Sequence, residues 1–207
     1  MRTIKKVASH IFIDGFGGMT QGLFATLIIG TMIQQIGLLI GGSTGNVIYL
    51  LGKAAAALTS AGIGVGVAVK YGESPLVTVS AAVAAMVGGY AGKITGGTFF
   101  VDGNAVLAGP GEPLGAFIAA FAGITCGHLV SGKTKVDIIV TPVITIGAGS
   151  VVGLLVGPPI SQMMTGLGSI INWATEQRPF IMGIVVSVVM GMVLTLPISS
   201  AALGIIL

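Results

Sequence analysis

The chain has 207 residues, 54% apolar and 7% charged, with a formal net charge of +3. A soluble domain carries about 25% charged residues, so a water-facing skin cannot be built here, and lipid is the solvent that removes the need for one. The scattered basic residues and 6% aromatics exclude a nucleic-acid surface, and the single cysteine, Cys126, excludes a disulfide framework or a cysteine metal cluster.

Residues 2–13 place Ile4, Val7, Ala8, Ile11 and Phe12 on one helical face and Arg2, Lys5, Lys6 and Ser9 on the other. That pattern predicts a short amphipathic helix in the headgroup layer. Asp14 interrupts what would be the apolar core of a signal peptide, so no cleavable leader is expected. Asp14-Gly15 reads as a turn. The first spanning segment follows over Phe16–Ile40, long enough for about 30 Å of hydrocarbon.

A second span is expected over 46–69, with Lys53 snorkelling near its start. Its Gly62–Val67 stretch alternates like a strand, but both alternating faces are nonpolar, which a membrane barrel does not tolerate. A third, shorter span covers 76–91. An irregular, glycine-rich re-entrant segment occupies 92–112, and a fourth span runs from Pro113 to Val130. The fifth, Asp137 to Gly157, is interrupted by Pro142.

Residues 158–174 carry Ile160, Met163, Met164, Leu167, Ile170 and Ile171 on one face. Ser161, Gln162, Thr165, Ser169 and Asn172 lie opposite, and Trp173 stands at the end. This predicts a separate amphipathic helix, either interfacial or pore-lining. A last span starts near Pro179 and passes through Pro197. The closing Ala201–Leu207 stretch lacks a polar flank, so a fragment of a longer membrane domain is expected. The reading is an all-α, polytopic integral membrane protein of about six spans, one domain over 1–207. Six basic residues (Arg2, Lys5, Lys6, Lys70, Lys133, Lys135) fall on one side, against two or three on the other (Lys93 and Arg178, with or without Lys53). The positive-inside bias then puts the N-terminus in the cytoplasm.

Gly127-His128-Leu129-Val130-Ser131-Gly132-Lys133-Thr134 matches the phosphate-loop pattern letter for letter. That loop works only after a buried strand and before a helix. Here it ends an apolar span, and a cytoplasmic turn explains its glycine and lysines. The 35 glycines in so apolar a chain point to close helix packing rather than disorder. Gly111, Gly115, Ala119, Gly123 and Gly127 recur every four residues, a ridge that admits a neighbouring helix.

The segment 95–113, TGGTFFVDGNAVLAGPGEP, is apolar for a loop between spans. Non-helical backbone at membrane depth survives only where protein surrounds it or it lines a water-filled cavity. Gly109-Pro110-Gly111 delivers Glu112 to the start of the fourth span, with Pro113 suited to its first position. Glu112 is either a helix-start carboxylate held by the dipole or an acceptor for a polar solute, since ionisable groups at membrane depth are functional by default. Asp102 and Asn104 flank Gly103 and serve as turn formers or ligand contacts. His128, at the far end of the fourth span, is the remaining candidate contact, with interfacial hydrogen bonding as its plainer role. No catalytic constellation, metal cluster or cofactor motif is present in the sequence.

The stretches GPGEPLGAF (109–117), SGKTKVDIIVTPVITI (131–146), VGPPI (156–160), INWATEQRPF (171–180) and LTLPISSAA (194–202) together resemble EIIC-type membrane proteins of the bacterial phosphoenolpyruvate-dependent sugar phosphotransferase system. The resemblance covers nearly the whole chain, and it implies members that continue past the position of Leu207. It also implies an inner-membrane sugar permease acting with separate cytoplasmic phosphocarrier subunits (EIIB- and EIIA-like), and a possible homo-oligomer. Glu112-Pro113 is similar to a Glu-Pro motif that holds sugar hydroxyls in larger permeases of the system. A membrane sensor that kept the fold, or a small-solute transporter uncoupled from phosphorylation, are the alternatives.

Overall fold

The computed structural model describes residues 14–101, 103–107, 109–175, 182–184, 186–188 and 191. The expected amphipathic helix at 2–13, Asp102, Arg178 and the last span from Pro179 lie outside the described residues. Within them the chain is an all-α membrane protein. Helix α1 runs over Phe16–Ile40, with a π-helical turn at Phe24–Ile28. Helices α2 (Gly42–Ala57) and α3 (Thr59–Lys70) follow, then α4 (Pro75–Gly89) and the short α5 (Ala91–Thr95). Two-residue strands β1 (Phe100–Val101) and β2 (Asn104–Ala105) pair antiparallel before α6 (Pro113–Val130) and α7 (Asp137–Thr175).

Among the described residues three helices are long and apolar enough to cross a bilayer, namely α1, α6 and the first 34 residues of α7. Helices α2 and α3, bent by 53° at their junction, together have the length and apolar character of a fourth. Helix α4, at 15 residues, reaches only about 22 Å, short of the hydrocarbon thickness. Its limits are written in the sequence: Ser74 caps it by accepting from the Val77 amide at 3.4 Å, and Pro75 takes the first position.

Three expectations change. Asp14-Gly15 is no turn; Gly15 has helical φ −61° and ψ −51°. The second span is not one rod, because α2 and α3 meet at Leu58 with a bend of 53°. Finally, 137–157 and 158–174 are a single helix of 39 residues, with Pro142, Pro158 and Pro159 inside it. Paired prolines remove two amide donors, yet packing on both sides holds the helix. A Cβ on Gly157 would strike Ala91, and Ser161 lies against Gly92. Tertiary contact overrides local propensity here.

Met19, Leu27, Ile63, Val67 and Phe117 fill the core, while the closest helix seams are lined by small residues. Leu39, Leu155, Ile138 and Val79 are exposed, while Gly and Ala line the contacts. Gly18 and Gly22 of α1 press on Gly66 and Gly62 of α3, and Gly30 and Gly37 on Gly52 and Gly45 of α2. The predicted ridge of α6 meets a second ridge on α7. A Cβ on Gly123 would stand 2.6 Å from the Thr145 carbonyl oxygen, and one on Gly149 2.6 Å from that of Ala119. Without a hydrophobic drive between helices in lipid, such close backbone approach supplies the dispersion contacts that hold them. Ser74 Oγ and Ser131 Oγ lie 3.0 Å apart. That contact gathers the 71–74 and 131–136 connections, and with them Lys70, Lys133 and Lys135, at one end of the bundle. Lys93 follows the opposite end of α4.

Candidate functional site

At that opposite end, Gly109-Pro110-Gly111 forms a non-helical strap between the β-hairpin and α6. Gly109 and Gly111 have φ of +80° and +76°, which L side chains rarely adopt. Two carbonyls of the strap and the amide that follows it find partners in the protein. The Tyr90 hydroxyl donates to the Gly109 carbonyl, Ser60 Oγ donates to that of Pro110 at 2.9 Å, and the Glu112 amide donates to Gly89 O at 2.6 Å. Tyr90 and Ser60 are themselves buried. Tyr90 follows α4, while Ser60 lies in the first turn of α3 just past the break, so residues from two helices grip one loop.

Glu112 then caps α6, its Oε1 accepting from the Leu114 amide at a long 3.4 Å. It stands immediately before the Pro113–Val130 span. Burial pushes its carboxyl up to about 7, against the opposing pull of the Leu114 amide. Its side chain faces a cavity of about 350 Å³ lined by Gly89, Gly92, Lys93, Gly109–Glu112, Ser161, Met164 and Thr165. A neighbouring hollow of about 520 Å³ shares Gly92, Lys93, Ser161 and Thr165 with it and adds Gln162 and Pro158. Together they make one cleft between the strap and the middle of α7. Lys93 lines both hollows, with its ammonium 5.4 Å from the Tyr90 ring centroid. The wall thus offers a carboxylate acceptor, an ammonium donor, hydroxyls and an amide, set among glycines that let a ligand approach the backbone. No group of three or more metal-ligating side chains occurs among the described residues.

The four sequence candidates part company. Glu112 is at the cleft. Asn104 is exposed in β2, where it pairs with Val101 across the hairpin turn. Asp102 lies outside the described residues. His128 is at the far end of α6, about 24 Å away. There its Nδ1–H donates to Glu73 Oε1 at 3.0 Å, fastening α6 to the α3–α4 connection. Lys93, Ser60 and Tyr90 were not foreseen. Ser161, Gln162 and Thr165 belong to the polar face read from the sequence, and they line the cleft. The phosphate-loop look-alike is a turn after a helix, and its Gly132 amide already donates to Asp137 Oδ1 at 2.9 Å.

A family model described as "Phosphotransferase system, EIIC" matches residues 13–207 of the chain. No curated protein and no solved structure matches it.

Proposed function

The chain belongs to the EIIC family of the phosphotransferase system, the membrane permease components of that system, and from that premise we propose that it binds a sugar in the cleft at Glu112 and passes it inward. The observation that carries this reading is the pinned strap. It presents an ionisable side chain and bare glycine backbone to a polar cleft beside an interrupted span. Transporters place their sites at such discontinuous helices. Glu112 accepts from sugar hydroxyls, while Lys93, Gln162 and the Ser161 and Thr165 hydroxyls supply the complementary partners. The segment 92–112 is then re-entrant. From the Ser74–Ser131 end, α4 and α6 climb only about 22 and 27 Å before reaching it, within the thickness of a bilayer.

Cytoplasmic phosphocarrier subunits of the EIIB and EIIA type phosphorylate the sugar at the Lys70, Lys133 and Lys135 end. The N-terminus of this multi-pass chain faces the cytoplasm of a bacterial inner membrane. Uptake of a panel of labelled sugars, in cells with and without the phosphocarrier proteins, tests the whole reading. Accumulation that needs the carriers is the expected result. Uptake that ignores them overturns the coupling, and binding without uptake would instead fit a sensor.

Orientation has its own check. A cysteine at Lys133 should react with a membrane-impermeant maleimide only in inverted vesicles, and one at Thr98 only in intact cells or not at all. Labelling of position 133 from outside would reverse the topology.

A further inference from the structure

We propose that Ser60 and Tyr90 are positioning residues for Glu112, tying the Gly109–Gly111 strap to the break in the α2–α3 span. Neither residue lines the cleft, so neither is expected to touch the solute. Each instead holds a carbonyl of the strap that carries the carboxylate. The fit of Ser60 is built. A Cβ on Gly111 would lie 2.5 Å from its Oγ, and one on Gly89 only 2.9 Å from its Cβ. Two glycines on separate segments are therefore needed for the hydroxyl to reach Pro110.

Tyr90 links further. Its oxygen also lies 3.2 Å from the carbonyl of Ala57, the last residue of α2. A phenol has a single proton. The shorter contact goes to Gly109, so that proton is spent on the strap while Ala57 takes the weaker share. Rotation of α2 about Leu58 would change that division. The α1–α2 hairpin and the strap are in this way joined through one hydroxyl, and loss of either grip lets water reach Glu112.

The test needs no solute, although the functional meaning of the proposal rests on the cleft being the sugar site. The full chain in detergent is treated with a hydrophobic carbodiimide, which attacks protonated, poorly hydrated carboxyls. Modification at Glu112 is followed by peptide mass spectrometry across a pH series. Wild type should label with a midpoint of about 7. Ser60→Ala and Tyr90→Phe should each lower that midpoint by about one unit, cutting the rate near pH 8 roughly tenfold. Gly123→Ala, which strains the bundle remote from the strap, should lower the melting temperature and leave the midpoint in place. An unmoved midpoint in Ser60→Ala and Tyr90→Phe, or an equal shift in Gly123→Ala, would overturn the proposal. So would a wild-type Glu112 that resists the reagent. Failure here leaves the solute test of Glu112 itself untouched, so the two readings fall separately.

Discussion

Gly123→Leu is expected to strip the protein of much of its stability. The added side chain has nowhere to go: its first carbon would meet the Thr145 carbonyl at 2.6 Å, with the Ala84 Cβ and Gly149 Cα at 3.4 Å. Those atoms belong to α4 and α7, so the insertion drives apart three helices at once. Overpacking of this kind costs about 1–3 kcal/mol, with more expected where backbone rather than a flexible side chain is struck. Gly147→Leu is the matched control, since nothing lies within 4 Å of a Cβ at that position on the same helix pair. The melting temperature in detergent should fall by several degrees for Gly123→Leu and hold for Gly147→Leu. Equal stability of the two would mean that the α6–α7 seam is looser than drawn. Normal stability with lost solute binding would turn the ridge from packing into site.

That ridge was legible because a four-residue period of small side chains has one geometric use on a helix. So were the ends of α6, where Glu112-Pro113 opens the helix and Ser131-Gly132 closes it. The break at Leu58 was hidden for the opposite reason. Ala54–Ala57 is a run of the best helix former, and no proline or glycine marks the bend. What marks it is a tyrosine hydroxyl arriving from 33 residues away, a contact no local pattern carries. Pro158-Pro159 misled in the other direction, since the local rule says stop and the packing of Gly157 and Ser161 says continue.

The site shows the same division. Glu112 stood out as a carboxylate between Gly-Pro-Gly and an apolar span, and the structure gives it both a cap contact to the Leu114 amide and a place in the cleft wall. Ser161, Gln162 and Thr165 belong to the cleft only because α7 is one helix, so splitting it left their partner unknown. Lys93 was counted as a topology charge, and only the fold of α5 against α7 turns it toward Glu112's cavity. His128 stands at the opposite end of the 18-residue helix from Glu112, where Glu73 is its partner.

Glu112→Gln carries the largest functional consequence. A carboxylate accepting from solute hydroxyls makes charge-assisted bonds of about 1.5–3 kcal/mol each. The amide keeps the shape and loses the charge, so affinity should fall roughly ten- to a hundredfold. Stability should hardly move, because a glutamine oxygen can still accept from the Leu114 amide, and a charge at a helix N-terminus adds only about 0.3–1 kcal/mol. Acidity separates the two roles further. Burial holds the wild-type carboxyl at about 7, so it is an ionised acceptor above that pH and a neutral acid below it. Wild-type affinity should therefore weaken as pH falls through 7, while Glu112→Gln stays flat and weak throughout. Both forms are compared using the sugar that uptake identifies, with purified protein and melting temperatures taken alongside. If affinity survives the substitution and the melting temperature drops instead, Glu112 is a helix cap. The strap then loses the side chain that makes its cleft a solute pathway.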